Sequence, residues 1–129
     1  MDEPIDHFRK ILRGLLERAK KNEVNWQVSN IRAARSSYLV EFPASAITVE
    51  FFSPESEPDY YVARLFNDRR NAVQTLGATE SEKGDWELLS NLSTEAYRAV
   101  TGWDKAMADA EASVNSNDPV GKPGDDIPF

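Results

Sequence analysis

The apolar residues of this chain repeat with one period near its two ends and another in the middle. Few folds accommodate that switch. From Pro4 to Lys21, residues Ile5, Phe8, Ile11, Leu12, Leu15, Leu16 and Ala19 fall on one stripe at 3.6-residue spacing, which predicts an amphipathic helix. Pro4 suits the first turn, where its missing N–H costs nothing, and Asn22 is the expected stop. From Val24 to Leu76 the period becomes two. Val24, Trp26 and Val28 alternate with polar residues, and Tyr38–Phe42 and Ile47–Phe51 alternate on either side of a Pro43-Ala44-Ser45 turn. Tyr60–Phe66 follows a loop at 53–59, and a shorter strand is expected around Ala72–Leu76. The connections are too short for crossovers, so three or four of these strands should form an antiparallel meander.

A second helical stripe follows. Trp86, Leu89, Ser93, Ala96, Val100, Trp103, Met107, Ala110 and Val114 keep a 3-4 spacing, widened by Leu92 and Tyr97. Thr79-Glu80-Ser81-Glu82 matches a capping box just upstream. Gly84 and Gly102 each cost roughly 1 kcal/mol against Ala in a helix interior, so a kink or break is expected at either. Residues 115–124 lose all periodicity and are rich in Asn, Ser, Gly and Pro, the composition of a disordered linker. Residues 1–114 therefore read as a single α+β domain: an N-terminal helix, an antiparallel β-meander of about four strands and a long C-terminal helix, arranged as a two-layer sandwich. Residues 115–129 form the linker and an acidic C-terminal tip.

Composition narrows the function classes. The net charge is −7, and residues 104–129 hold 6 acids against 2 bases, so a fifth of the chain carries over half of it. A nucleic-acid backbone demands a surplus of Lys and Arg, so direct nucleic-acid binding is not expected of the body. No apolar run approaches a membrane span. The opening MDEPIDHF is acidic where a signal peptide is basic, and zero cysteines fit a reducing compartment, so a bacterial cytoplasm is expected.

Residues able to do chemistry are sparse. His7 is the only histidine, lies off the apolar stripe and has no companions for acid–base work or metal binding. No serine sits in GxSxG, and neither a GxGxxG nor a P-loop pattern cradles phosphates. Glu41 and Glu50 lie on facing strands of the expected hairpin, with Arg64 as a nearby balancing base, but the polar face of a sheet explains them more simply. No enzyme, cofactor or metal site is expected.

The strands are rich in aromatics, and most alternate as core positions should. Phe52, Tyr60, Val62 and Phe66 are left for an outer face, with Arg64 among them. Such a patch reads as a partner or homodimer surface, as a platform for stacking single-stranded nucleic acid, or as the second side of a buried sheet. The first helix carries Arg9, Lys10, Arg13, Arg18, Lys20 and Lys21. Asp6 and Glu17 can pair several of them at i+3 and i+4, which predicts a solvated face. A competing use is docking an acidic tail, including the chain's own.

The tip combines unusual chemistry. Phe129 joins a large ring to the terminal carboxylate, Pro128 fixes φ, Ile127 adds apolar surface, and Asp125 and Asp126 precede them. A partner would take the ring in an apolar pocket, the carboxylate on an Arg or Lys, and the aspartates on a basic lip. Asp125-Asp126-Ile127-Pro128-Phe129 resembles the C-terminal tip of bacterial single-stranded DNA-binding proteins, in which an acidic run ending in Ile-Pro-Phe follows a Gly/Pro-rich linker. The resemblance covers five residues and the linker's character. It implies docking on replication, recombination and repair proteins such as helicases, nucleases and primosome components. It does not extend to that family's OB-fold, because a helix precedes all the strands here, so DNA binding is not carried over. A phage or mobile-element protein acting on host replication would fit.

Overall fold

The computed structural model describes residues 3–121. Helix α1 (Pro4–Lys20) is followed by strands β1 (Gln27–Val28), β2 (Ser36–Phe42), β3 (Ser45–Phe52), β4 (Tyr60–Asn67) and β5 (Ala72–Thr79), then by α2 (Lys83–Thr101) and α3 (Trp103–Val114). The strands form one antiparallel sheet in sequence order, β1 to β5. The expected α+β order is present, with five strands rather than about four.

Helix α1 buries Phe8, Leu12, Leu15, Leu16 and Ala19. Ile11, expected on that stripe, is instead 41% exposed, since the buried arc is narrower than the apolar one. The helix ends in a Schellman motif. Asn22 adopts φ 58°, its N–H donates to the Ala19 carbonyl at 3.0 Å, and the Glu23 N–H donates to that of Arg18 at 3.0 Å. Asn tolerates the left-handed conformation better than other non-glycine residues, which is why the helix stops there.

The β2–β3 turn is tighter than expected. Phe42 pairs with Ser45, leaving Pro43-Ala44 as a two-residue connection. Strand β1 is shorter, because only Gln27 and Val28 find partners, Leu39 and Tyr38. Trp26 is buried just before it, whereas Val28 at the sheet edge is 67% exposed. Strand β5 runs past Leu76 to Thr79, with Gly77 opposite Val62 and Ala78 opposite Tyr61. Gly lowers strand propensity, so the pattern fades there while the ladder with β4 continues.

Helices α1 and α2 pack over one face of the sheet. Phe8, Leu12, Leu89 and Leu92 meet Tyr38, Val40, Ile47, Val49, Ala63 and Leu76 in a single core. Each fully buried aliphatic or aromatic side chain contributes roughly 1.5–3 kcal/mol. Arg9 ties the two helices together, its Nε and one terminal nitrogen each donating to an Asp85 oxygen at 3.0 Å. The hydrogen bonds Arg9 donates to Asp85, followed by the one it donates to Asp6, hold the Arg9 pKa above its ordinary value.

The single long C-terminal helix is two helices. The break falls at Gly102, with φ 65°, while Gly84 lies inside the first turn of α2 without interrupting it. The capping box forms only in part. Glu82 Oε1 accepts from the Thr79 N–H at 3.0 Å and from its hydroxyl at 3.1 Å, closing a turn between β5 and α2. The helix itself starts one residue later, without a side-chain cap.

Candidate partner-binding surfaces

Alternation along β3 and β4 decides which residues face away from the helices. Register pairs Phe52 with Tyr60, Glu50 with Val62, Thr48 with Arg64 and Ala46 with Phe66. Phe52, Tyr60, Val62, Arg64 and Phe66 therefore share one face, as expected. The Phe52 and Tyr60 rings stack at 4.9 Å and 13°. They remain half-buried, as does Phe66, while Val62 is buried. The opposite face carries a separate aromatic set: Tyr61 lies 4.7 Å from Phe51 and meets the Trp86 ring edge-on at 4.9 Å. Burial pushes the Tyr61 and Tyr38 phenols above their usual pKa, so both stay neutral well past physiological pH.

A polar network lies inside the outer face. Glu50 is 0% exposed. Its Oε2 accepts the Thr48 hydroxyl at 2.7 Å and the Arg64 Nε–H at 3.1 Å. A buried carboxylate needs such donors to offset its lost hydration. The Arg64 side chain remains 37% exposed, so the pair anchors a guanidinium at the surface. Glu41 and Glu50 lie on facing strands, as expected, but not opposite one another. Glu41 pairs in register with Ala46 and Glu50 with Ser37, which places them toward opposite ends of the β2–β3 ladder. Glu41 instead approaches Arg70 at 4.0 Å near the turn end of the sheet.

The face of α1 is solvated and partly neutralised. Arg9 pairs with Asp6 and Asp85, Arg18 with Glu23 and Lys20 with Glu17. His7 is exposed on this helix. Among the described residues, no three or more His, Cys, Asp or Glu side chains converge to hold a metal ion, and no helix is long and apolar enough to cross a membrane.

Helix α3 leaves the body at Gly102 and buries none of its residues. Arg98 fixes its start: a terminal nitrogen donates to Asp104 at 2.6 Å, and the guanidinium lies 4.5 Å over the Trp103 ring. Trp103, Met107 and Val114, read as part of one core stripe, are exposed, because the turn at Gly102 carries them away from the sheet. Asn115–Gly121 has neither helix nor strand. Asp125, Asp126, Ile127, Pro128 and Phe129 lie outside the described residues.

One further feature leaves almost no signature in the sequence. The loop between β1 and β2 lines a groove with the end of α2, and Arg32 and Arg35 stand on its wall. The loop is aperiodic, and its only signal is a pair of bases three residues apart. Compared with known protein families, curated proteins and solved structures, the chain matches none.

Proposed function

We propose that this is a non-enzymatic, cytoplasmic interaction protein whose C-terminal tip imitates that of single-stranded DNA-binding proteins. The tip docks on replication, recombination or repair proteins and so recruits them, competes for them or inhibits them. The observation that carries this reading is the run Asp125-Asp126-Ile127-Pro128-Phe129, which joins a ring, a φ-restricted residue, an aliphatic residue and two acids within five positions. The exposed α3 supports it, because the chain departs from the core on a helix with no buried residue. The outer face of Phe52, Tyr60, Val62, Arg64 and Phe66 would supply a second contact, to a partner or to another copy. A second reading, stacking of single-stranded nucleic acid on this face, has the Phe52–Tyr60 pair in its favour.

Deleting Phe129 tests the proposal. The change moves the carboxylate onto Pro128 and removes the ring. Losing a buried Phe ring costs roughly 1.5–3 kcal/mol, and losing a charge-assisted contact roughly 1.5–3 more. Affinity for a helicase or nuclease that recognises the single-stranded DNA-binding protein tip should fall at least about tenfold in a fluorescence anisotropy titration. Equal binding by the parent and the deletion would sink the reading. Micromolar binding of oligonucleotides, weakened by Tyr60→Ala or Phe66→Ala, would put the stacking function in its place.

A further inference from the structure

The groove beside Arg32 and Arg35 has a volume of about 590 Å³, within the range of sites that hold small ligands or peptide ends. Its apolar lining includes Ile31, Tyr38, Tyr97 and Val100. Among the described residues no Asp or Glu lines it. That is unusual for a chain of net charge −7, and each of four other clefts on the described surface includes at least one carboxylate. Both arginines are exposed, and neither side chain makes an ion pair or hydrogen bond with a described residue. The loop that presents them is held in an uncommon shape. The Ala34 N–H donates to the Ile31 carbonyl at 3.1 Å, and Ala33 adopts φ 72°, a left-handed conformation that costs an L-residue roughly 1–2 kcal/mol. The Arg35 N–H anchors the far side of the loop on the Phe51 carbonyl at 2.7 Å.

We infer that this groove is a docking site for the chain's own C-terminal segment, Asp125–Phe129. The complementarity is specific. Two guanidiniums without partners among the described residues can take the aspartates in forked, charge-assisted hydrogen bonds. Tyr38, Tyr97 and Val100 offer the Phe129 ring an apolar floor. The basic face of α1 is a poorer receptor, since Arg9, Arg18 and Lys20 already have carboxylate partners and the cleft beside Arg13 also carries Asp6, Glu82 and Asp85.

Reach permits the contact within one molecule. Val100 and Thr101 line the groove, and α3 departs next to them at Gly102. The helix has 12 residues, about 18 Å of length. The fifteen residues from Asn115 to Phe129 span at most roughly 50 Å, enough to return along α3. The groove would take the tail whether or not an outside partner does. Where the tip also serves such a partner, the two would compete for it, and that consequence alone rests on the function proposed above.

The absence of cysteine makes a spin-label test clean. A nitroxide is attached to Asn30→Cys, at the groove, in the full chain, and paramagnetic broadening of the Ile127 and Phe129 amides is measured by NMR. At about 0.01 M salt the expected broadening is at least about twofold above that in an Arg32→Glu/Arg35→Glu variant. It should collapse to the variant's level at about 1 M salt, where the screening length falls from about 30 Å to about 3 Å. Excess peptide GKPGDDIPF should also relieve it. Broadening equal to that of the charge-reversed variant at low salt overturns the inference. So does broadening seen only when the spin label and the isotope label are on different molecules, because the occupant is then a second copy. Groove amides that shift with an oligonucleotide but not with the peptide overturn it as well.

Discussion

The buried carboxylate on the outer face makes an asymmetric prediction about stability. Glu50 is fully buried, whereas the Arg64 side chain is 37% exposed. Arg64→Ala strands a buried carboxylate with only the Thr48 hydroxyl as donor. Removing one partner of a buried pair costs about 3–5 kcal/mol. The low end applies here, because deleting the long Arg side chain lets some water reach Glu50. Glu50→Ala strands the other partner, but Arg64 keeps contact with solvent, and exposed charges are well screened. That change costs about 1–2 kcal/mol, mostly from the unpaired Thr48 hydroxyl and the lost side-chain packing. Urea denaturation at pH 7 measures both, and the Arg64 variant should unfold at the lower midpoint by a margin of about 1–2 kcal/mol, provided the m-values match. A Glu50→Leu/Arg64→Leu double variant should recover most of the loss, as apolar replacements of buried pairs commonly do. Should Glu50→Ala be the more damaging change, or both cost under about 0.5 kcal/mol, the account of this network is wrong.

The remaining expectations concern the core, the helix break, the tail and pH. Leu89→Ala empties a fully buried position on α2 and should cost about 2–5 kcal/mol in the same assay. At Gly102→Ala a new Cβ meets open space, so the effect is conformational. It should cost about 1–2 kcal/mol through the left-handed φ and alter Trp103 fluorescence as α3 reorients. Truncation after Val114 removes no buried side chain among the described residues and should shift Tm by no more than about 2–4 °C; loss of cooperative melting would show that the tail is structural. Replacing Asp125 and Asp126 by Asn should mainly flatten the salt dependence of partner binding, with a smaller loss than the Phe129 deletion. The Tyr38 and Tyr61 phenols titrate above their unfolded value. The stability they contribute is therefore complete below about pH 10 and lost as pH rises through their folded pKa values. Tyr38→Phe/Tyr61→Phe should flatten that alkaline decline in urea midpoints.

Much of the architecture was legible from local pattern. The stripe on α1, the alternation of β2 to β4, the order of elements and the grouping of Phe52, Tyr60, Val62, Arg64 and Phe66 follow from side-chain periods of 3.6 and 2, which are properties of the backbone alone. The chemistry of the C-terminal tip is likewise a matter of residue identity. Other features depend on which segments approach one another. Edge position cut β1 to two residues, and ladder pairing carried β5 past Gly77. The stripe from Trp86 to Val114 has one continuous period, yet the chain turns at Gly102 and leaves Trp103 and Met107 in solvent. Arg9 could be matched with Asp6 three residues away, but not with Asp85, 76 positions along. Glu50 is indistinguishable from Glu41 by local alternation, and only its place among Thr48, Val62 and Arg64 buries it. The Arg32–Arg35 groove left no period to read, because its walls come from an aperiodic loop and the far end of a helix. Local pattern sets which face a residue occupies; packing between distant segments sets whether that face meets water, a carboxylate or a cavity.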